Sequence, residues 1–375
     1  MYVRIVVITF GLFAVFAGLW LMWPSPINPA YWDEPEVPAM TGRLAPNTAL
    51  LDTNYTVIGP NGAARSLAVG ENDVVYYGNT SGEIMRRRPD DDEAVEGILT
   101  DFGDVPVIGL AWIDDDTLGA TTPDGLFAIE IDNGVAQRVS AGVPGYPFGY
   151  ANDLAVTEGG EIYFTDSSTL LGRGVNDRDQ VLDMLENRPH GALYVWNPRT
   201  RQTHLAADRL YYPNGVAIAS DQRSVFIAET FRYRVLRHWT SGPRAGETEV
   251  FADNLPGLPD SLISDGLGRL FVAMPARRSR MMRAIHRHPW LARIVARLPA
   301  RLRPAGGKPL PFIAILDEAD GAVISTLHDP EDRLCQVSAM AFSRDNDLWF
   351  GSTNCGYLAN LPQAAVHAGI HSVGQ

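Results

Sequence analysis

The chain has 375 residues and a net charge of −13, and 46% of its residues are hydrophobic while 20% are charged. This composition excludes a disordered chain, and the length allows one large domain or two ordinary ones. The acidic balance argues against general nucleic-acid binding, because a polyanion would be repelled.

The N-terminus predicts a membrane anchor. Nineteen residues without a charge, Ile5 to Trp23, are enough to span a bilayer. Arg4 precedes this run and acidic residues from Asp33 onward follow it, so the positive-inside rule places the rest of the chain on the periplasmic or extracytoplasmic side. A cleavable signal peptide with a cut near Gly18 is the alternative. The apolar run continues to Trp23, which favours an uncleaved, single-pass anchor.

After about residue 55 the sequence consists of six similar units of roughly forty to sixty residues. Each unit has a short apolar strand, a polar turn and a second strand that ends in small residues. The predicted inner strands are Leu67–Val69, Ile108–Ala111, Leu154–Val156, Val216–Ile218, Leu262–Ile263 and Ala339–Phe342. Such repeats, with 35 glycines and 26 prolines for the turns, are typical of an all-β, six-bladed β-propeller. A β-sandwich would not explain six similar units.

These patterns together predict the domain organisation. We assign residues 1–23 to the transmembrane anchor, 24–50 to a Pro-rich linker and 51–365 to the propeller, with a basic helical insert at 277–303 in blade five.

Amide and carboxylate side chains precede three of the predicted inner strands at the same offset. Asn152 and Asp153 occur in YAND, Asn214 in YYPNG and Asp260 in LPDS. In a propeller these oxygens would converge on the central axis, and oxygen ligands suit a hard cation such as Ca²⁺. The alternative is that Asn and Asp simply occupy turns.

The insert from Arg277 to Arg303 contains nine arginines and no acid. Within it, four apolar residues recur at helical spacing, which predicts a basic amphipathic helix: Leu291, Ile294, Val295 and Leu298. The helix would dock on anionic lipid or cover the channel mouth, or it would pack on the propeller and neutralise its acidic body. His286 and His288 are expected at the surface.

The two cysteines, Cys335 and Cys355, lie in what should be an oxidising compartment. Cys335 precedes an inner strand and Cys355 follows the second strand of the same unit. Since successive strands alternate in direction, we predict a disulfide on the same face as the metal site.

Several stretches resemble the strictosidine synthase-like branch of the calcium-dependent propellers, above all the adipocyte plasma membrane-associated type, and more distantly gluconolactonases and paraoxonases. They are YANDLAVTEGGEIYFTDSS, YYPNGVAIASDQRSVFIAET, FADNLPGLPDSL and STLHDP. The resemblance implies a catalytic Ca²⁺, or another divalent ion, bound by Asn152, Asn214 and Asp260. Asp153 would serve as a base or support the ligands.

The chain departs from this family at four positions. The first blade has Arg65–Ser66 in place of a glutamate, so the site would bind metal weakly, use Glu71 or another acid instead, or hold no metal. Ser261 replaces a second amide, and Ile108–Gly109 stands where paraoxonases place a histidine. Ala339 replaces the glutamate of the plant synthases, which argues against true strictosidine synthesis.

The sequence therefore supports three functional hypotheses. The first is a membrane-anchored, metal-dependent hydrolase of esters or lactones, in which the ion polarises the substrate carbonyl and Asp153 or Asp260 accepts a proton from water. The second is a strictosidine synthase-like condensing enzyme. The third is a non-catalytic propeller that binds a ligand or partner, which the missing first-blade acid favours.

Overall fold

Six four-stranded antiparallel sheets dominate the computed structural model, which describes residues 24–58, 63–88, 97–144, 146–170, 180–304, 307–331 and 333–371. The predicted anchor, residues 1–23, lies outside this part of the chain. None of the helices within the described ranges is long and apolar enough to cross a membrane.

The sheets follow one another along the chain. Strand β1 (Asn54–Val57) belongs to the last sheet, and the first and second sheets contain β2 (Ser66–Val69), β3 (Val75–Gly78), β4 (Glu83–Arg87), β5 (Gly97–Asp101), β6 (Gly109–Trp112), β7 (Thr117–Thr122), β8 (Gly125–Glu130) and β9 (Ala136–Ser140). After a short hairpin, β10 (Gly142–Val143) and β11 (Tyr146–Pro147), the third and fourth sheets contain β12 (Ala151–Val156), β13 (Ile162–Asp166), β14 (Gly191–Asn197), β15 (Gln202–Leu210), β16 (Pro213–Ile218), β17 (Ser224–Glu229), β18 (Arg234–Trp239) and β19 (Thr248–Ala252). The remaining strands are β20 (Gly257–Leu258), β21 (Leu262–Ser264), β22 (Arg269–Ala273), β23 (Ala276–Arg277), β24 (Phe312–Asp317), β25 (Val323–His328), β26 (Ala339–Phe342), β27 (Leu348–Gly351) and β28 (Tyr357–Leu361). Of these, β21, β22, β24 and β25 form the fifth sheet, β26 to β28 with β1 form the sixth, and β20 pairs with β23.

The innermost strand of each sheet, which is β26 in the sixth sheet and the first strand in the other five, contacts the innermost strands of both neighbouring sheets. The contacts run from β2 through β6, β12, β16, β21 and β26 back to β2. The six sheets therefore form a closed ring, which confirms the predicted six-bladed β-propeller.

Blade six is completed by the beginning of the propeller chain. Strand β1 pairs antiparallel with β28, with Asn54 opposite Asn360 and Val57 opposite Tyr357. This pairing joins residues some three hundred positions apart and covers an edge that would otherwise be open.

The second strand of a blade packs against both neighbouring blades. All residues of β3, β17 and β27 are buried. This explains why these segments are continuous apolar runs rather than alternating ones.

The disulfide between Cys335 and Cys355 is present and confirms that prediction. Cys335 precedes β26 and Cys355 follows β27. The bond therefore lies at the end of the ring where the inner strands begin.

A separate helical unit comprises residues 24–34, 180–188 and 280–304. It contains α1 (Gln180–Glu186), α2 (Arg280–His286) and α3 (Pro289–Ala296), whereas α4 (Gln363–His371) belongs to the propeller unit. The insert thus forms two short helices instead of one, because Pro289 cannot continue a helix but suits the first position of a new one.

The surface position predicted for His286 is wrong. This side chain is only 2% exposed. One ring nitrogen lies 2.5 Å from the carboxylate of Glu34 and the other 2.7 Å from the main-chain oxygen of Met184. These two partners explain how a polar ring is tolerated inside the unit.

Candidate functional site

The three predicted ligand segments lie at the same end of three adjacent inner strands. Asn152 is the second residue of β12, Asn214 is the second residue of β16, and Asp260 lies two residues before β21. In both β12 and β16 the pairing with the second strand shifts register around these residues, between Ala151 and Leu154 and between Pro213 and Val216. Such bulges redirect side chains, which accounts for the repeated offset seen in the sequence.

Glycines allow the site segments of neighbouring blades to approach closely. The main-chain nitrogen of Gly215 donates a hydrogen bond of 2.8 Å to the oxygen of Asp260, and a Cβ at Gly215 would lie 2.2 Å from that oxygen. In blade two, a Cβ at Gly109 would lie 2.7 Å from the main-chain oxygen of Asn152. Any side chain at Gly109 would collide there, so blade two leaves no room for the histidine of the paraoxonases.

Hydroxyl groups of one blade hold the site segment of the next. Thr121 donates a hydrogen bond to the main-chain oxygen of Asn152, and Thr165 donates one to that of Asn214 at 2.6 Å. Thr230 does the same for Pro259 at 2.7 Å, next to Asp260. Sequence reasoning missed these residues, although the small residues at the ends of the second strands were a usable signal.

The orientation of both amide groups follows from their hydrogen bonds. The Nδ2 of Asn152 donates to the hydroxyl of Ser167 at 2.8 Å, and this hydroxyl donates to the main-chain oxygen of Pro213 at 2.7 Å. The Nδ2 of Asn214 donates to Oδ1 of Asp260. Both N–H₂ groups are thus used on protein acceptors, which leaves the Oδ1 atoms of Asn152 and Asn214 as the atoms that can bind a cation.

Asp153 connects the inner strands of blades three and four. Its Oδ1 accepts a hydrogen bond of 2.9 Å from the N–H of Leu154, and its Oδ2 accepts one of 3.2 Å from the N–H of Val216. Burial raises the pKa of the Asp153 carboxyl to about 7, with a smaller contribution from the charge of Asp260, while the two N–H donors oppose the shift. Asp153 and Asp260 therefore lie close enough to repel each other electrostatically.

The donor set fits a hard divalent cation. Two amide oxygens and the carboxylate of Asp260 are oxygen donors from three blades, and a cation beside them would relieve the repulsion between Asp153 and Asp260. Among the described residues no group of three or more His, Cys, Asp and Glu side chains is placed to hold a metal. A metal site here would therefore need donors other than these side chains, such as the amide oxygens of Asn152 and Asn214.

Arg65 lies at the first-blade position where the resemblance led us to expect an acid. Its Nη2 lies 3.3 Å from the hydroxyl of Tyr150, just before β12. Glu71 does not replace the missing acid. It follows the far end of β2, is 70% exposed and pairs with Arg344 at 2.6 Å. In the sixth blade Ala339 is the first residue of β26, so no acid is present at that position either.

The fold and the sequence matches define the class of this protein. Residues 152–243 match the family model described as "Strictosidine synthase", a segment that contains Asn152, Asp153 and Asn214. Together with the closed ring, this defines a six-bladed β-propeller similar to strictosidine synthase.

Individual relatives confirm the resemblance. The chain is 30% identical to the Arabidopsis thaliana protein strictosidine synthase-like 13 over 242 residues, which cover 64% of this chain and 56% of that protein. It is 28% identical to the human adipocyte plasma membrane-associated protein, with 97% of this chain and 91% of the human protein covered.

Two solved structures share the fold. A gluconolactonase from Xanthomonas campestris superimposes with a TM-score of 0.60 at 18% identity, covering 91% of this chain and 99% of that chain. A calcium-binding protein, regucalcin, from Agrobacterium tumefaciens has a TM-score of 0.57 at 15% identity, covering 81% of this chain and 92% of that chain.

Proposed function

We propose that this chain is a membrane-anchored, divalent-metal-dependent hydrolase of esters or lactones. The observation that carries the proposal is the orientation of Asn152 and Asn214, whose N–H₂ groups donate to Ser167 and Asp260, so that their amide oxygens are not used in these two hydrogen bonds. The similarity in fold to a gluconolactonase and to a calcium-binding regucalcin supports it.

Asn152, Asn214 and Asp260 would hold the metal ion. When bound, a Ca²⁺ there would polarise the substrate carbonyl and stabilise the developing oxyanion. The hydroxyls of Thr121 and Thr165 fix the main chain of the two asparagines, so that their side chains need little rearrangement on binding.

Asp153 and Asp260 are the two candidates to accept the proton from the attacking water. Asp153 is held by the N–H groups of Leu154 and Val216, and each of its carboxylate oxygens keeps a second lone pair for a water molecule. Asp260 would act as a ligand and would accept the proton only if Asp153 does not. The two roles predict different effects of substitution.

We also propose that the run from Ile5 to Trp23 anchors the protein, with the propeller on the periplasmic or extracytoplasmic side. The similarity to relatives named adipocyte plasma membrane-associated protein supports an association with a membrane.

A non-catalytic propeller that binds a ligand or partner is the second candidate function. Arg65 favours it, because a guanidinium near the axis would repel a divalent cation. The condensing reaction of strictosidine synthase has less support, since Ala339 offers no acid–base group.

Hydrolysis of a panel of aryl esters and lactones, with and without EDTA, tests the proposal. We expect activity that EDTA abolishes and Ca²⁺ restores, and that Asn214→Ala lowers at least a hundredfold. Asn133→Ala, at an exposed turn between β8 and β9, is the matched control and should retain full activity.

Asp153→Asn should lose turnover but keep calcium binding, whereas Asp260→Asn should lose both. Turnover that is unaffected by EDTA or by Asn214→Ala would refute the proposal, and a lack of turnover with any substrate would favour the binding propeller.

A further inference from the structure

The helical unit has a charge opposite to that of the whole chain. Its described residues include eight arginines and four acids, in a protein with a net charge of −13. Three of the acids, Glu34, Asp183 and Glu186, are buried, and the fourth, Asp33, pairs with Arg287 at 2.5 Å. Three of the four acids are thus buried, whereas none of the eight arginines in these described residues is buried and four of them are exposed, so the accessible surface of this unit is cationic.

Large apolar side chains lie exposed among these arginines. Met281 is 53% exposed, Trp290 61% and Leu302 60%. Arg280 and Arg301, each adjacent in sequence to one of these residues, are exposed as well. Arginines alternating with tryptophan and long apolar residues are the composition of a surface that rests on anionic lipid headgroups.

The chain leading into this unit also places it next to the predicted anchor. Asn28 is fixed by three contacts: its N–H donates to Glu186 at 2.7 Å, its oxygen accepts from Arg188 at 2.6 Å, and its side chain lies 3.3 Å from Arg293. Asn28 lies only five positions after Trp23, where the uncharged run ends. A fully extended chain of that length spans at most about 18 Å. If the uncharged run spans a bilayer, Asn28 and the helical unit that holds it therefore lie close to the surface of that bilayer.

We infer that the helical unit is a docking surface for anionic lipid, in which Met281, Trp290 and Leu302 enter the headgroup region and Arg280 and Arg301 contact lipid phosphates. The membrane is the partner that the tether brings close, and the one whose charge complements this surface.

A fluorescent probe at position 290 tests the inference in the full chain. Because the two native cysteines form a disulfide, Trp290→Cys supplies the one thiol for a polarity-sensitive fluorophore. The labelled protein is reconstituted into vesicles of phosphatidylcholine alone or mixed with phosphatidylserine. In the phosphatidylserine vesicles we expect the emission to be blue-shifted and to be quenched by spin-labelled lipid. At high salt the emission should return to that of a water-exposed probe.

The matched control is Leu267→Cys, at a propeller residue that is 71% exposed. A probe there should report water in every vesicle. The inference is overturned if the probe at 290 also reports water in both lipids, or if it is equally buried in both. A probe already shielded before lipid is added would show that a protein surface covers the patch, and would overturn it too.

Charge reversal tests the role of the arginines. In the labelled chain, Arg280→Glu with Arg301→Glu should lower the ratio of docked to undocked forms by about fivefold or more for each arginine. Arg138→Glu with Arg201→Glu, at exposed arginines of the propeller, is the control and should leave the ratio unchanged. If both pairs of substitutions lower the ratio equally, the effect comes from the net charge of the protein, and a specific docking surface is contradicted. The readout is fluorescence, so it is independent of any hydrolytic activity.

Discussion

Ser167 orients the side-chain amide of Asn152. Its hydroxyl accepts a hydrogen bond from the Nδ2 of Asn152 at 2.8 Å and donates one to the main-chain oxygen of Pro213 at 2.7 Å. A single buried side chain thus orients a proposed ligand of blade three and ties it to the start of β16 in blade four. Groups that orient ligands in this way affect metal affinity without touching the metal.

Ser167→Ala should therefore weaken calcium binding. We expect about a tenfold loss of affinity by calorimetry, because the amide of Asn152 is no longer oriented, together with a loss of about 1–3 kcal/mol in the free energy of unfolding. Ser343→Ala is the matched control, since its hydroxyl accepts a hydrogen bond of 3.1 Å from Asp347 in a turn at the other end of blade six. It should lower stability without changing calcium affinity. Equal calcium affinity in the two variants would contradict the orienting role of Ser167.

Arg65→Glu should strengthen metal binding. The substitution removes a positive charge at the first-blade position and adds a carboxylate, both of which favour a divalent cation. We expect at least a tenfold higher calcium affinity in titrations. Tyr150→Phe, which removes the 3.3 Å contact to Arg65 but leaves the charge, is the control and should change affinity far less. An unchanged affinity in Arg65→Glu would place this side chain outside the electrostatic reach of the site.

Acidification should destabilise the propeller through His328. Burial, and to a lesser extent the charge of Arg277, lower the pKa of His328 to about 4. The unfolded chain, with a histidine pKa of about 6.5, binds the proton more readily, so stability is full above that pH and falls as the pH drops toward 4. Thermal unfolding across this range should show a smaller fall for His328→Gln than for the unsubstituted protein. His204→Gln, at an exposed histidine, should behave like the unsubstituted protein; a fall as small as that of His328→Gln would contradict the assignment.

The disulfide should contribute measurably to stability. Cys335 and Cys355 are 20 positions apart. Closing a loop of that length lowers the conformational entropy of the unfolded chain, which stabilises the folded state by about 3 kcal/mol. We expect Cys335→Ser with Cys355→Ser to lower the free energy of unfolding by about that amount in urea titrations. Reducing the unsubstituted protein should give a similar loss. A loss well below 1 kcal/mol in both would show that the unfolded chain is already compact at this loop.

The strand pattern was predictable because it depends on local sequence. Val216–Ile218 lies within β16 and Leu154–Val156 within β12, since an inner strand needs only a short apolar run before a turn. The pairing of β1 with β28 was not predictable in the same way. Nothing in the sequence of Asn54–Val57 indicates which of the six blades lacks its outer strand, because that follows from closure of the ring.

The helical unit shows the same limit. The arginine content of the insert was evident from the sequence, but the burial of His286 depends on Glu34 and Met184, which come from two other segments of the chain. When the partners of a histidine in a basic segment are unknown, its side chain is expected to be exposed to solvent. Only the assembled unit shows that a carboxylate and a main-chain oxygen meet its ring.

The sequence by itself determined the six repeats, the cysteine pair and the polar residues placed before three inner strands, because each of these is a pattern of neighbouring residues. The tertiary structure alone decided how the side-chain amides of Asn152 and Asn214 are oriented, that Glu71 is exposed and paired with Arg344, and that Asp153 joins two blades. The reason is that these properties depend on hydrogen bonds and charges between segments far apart in the chain, which come together only when the ring of blades is closed.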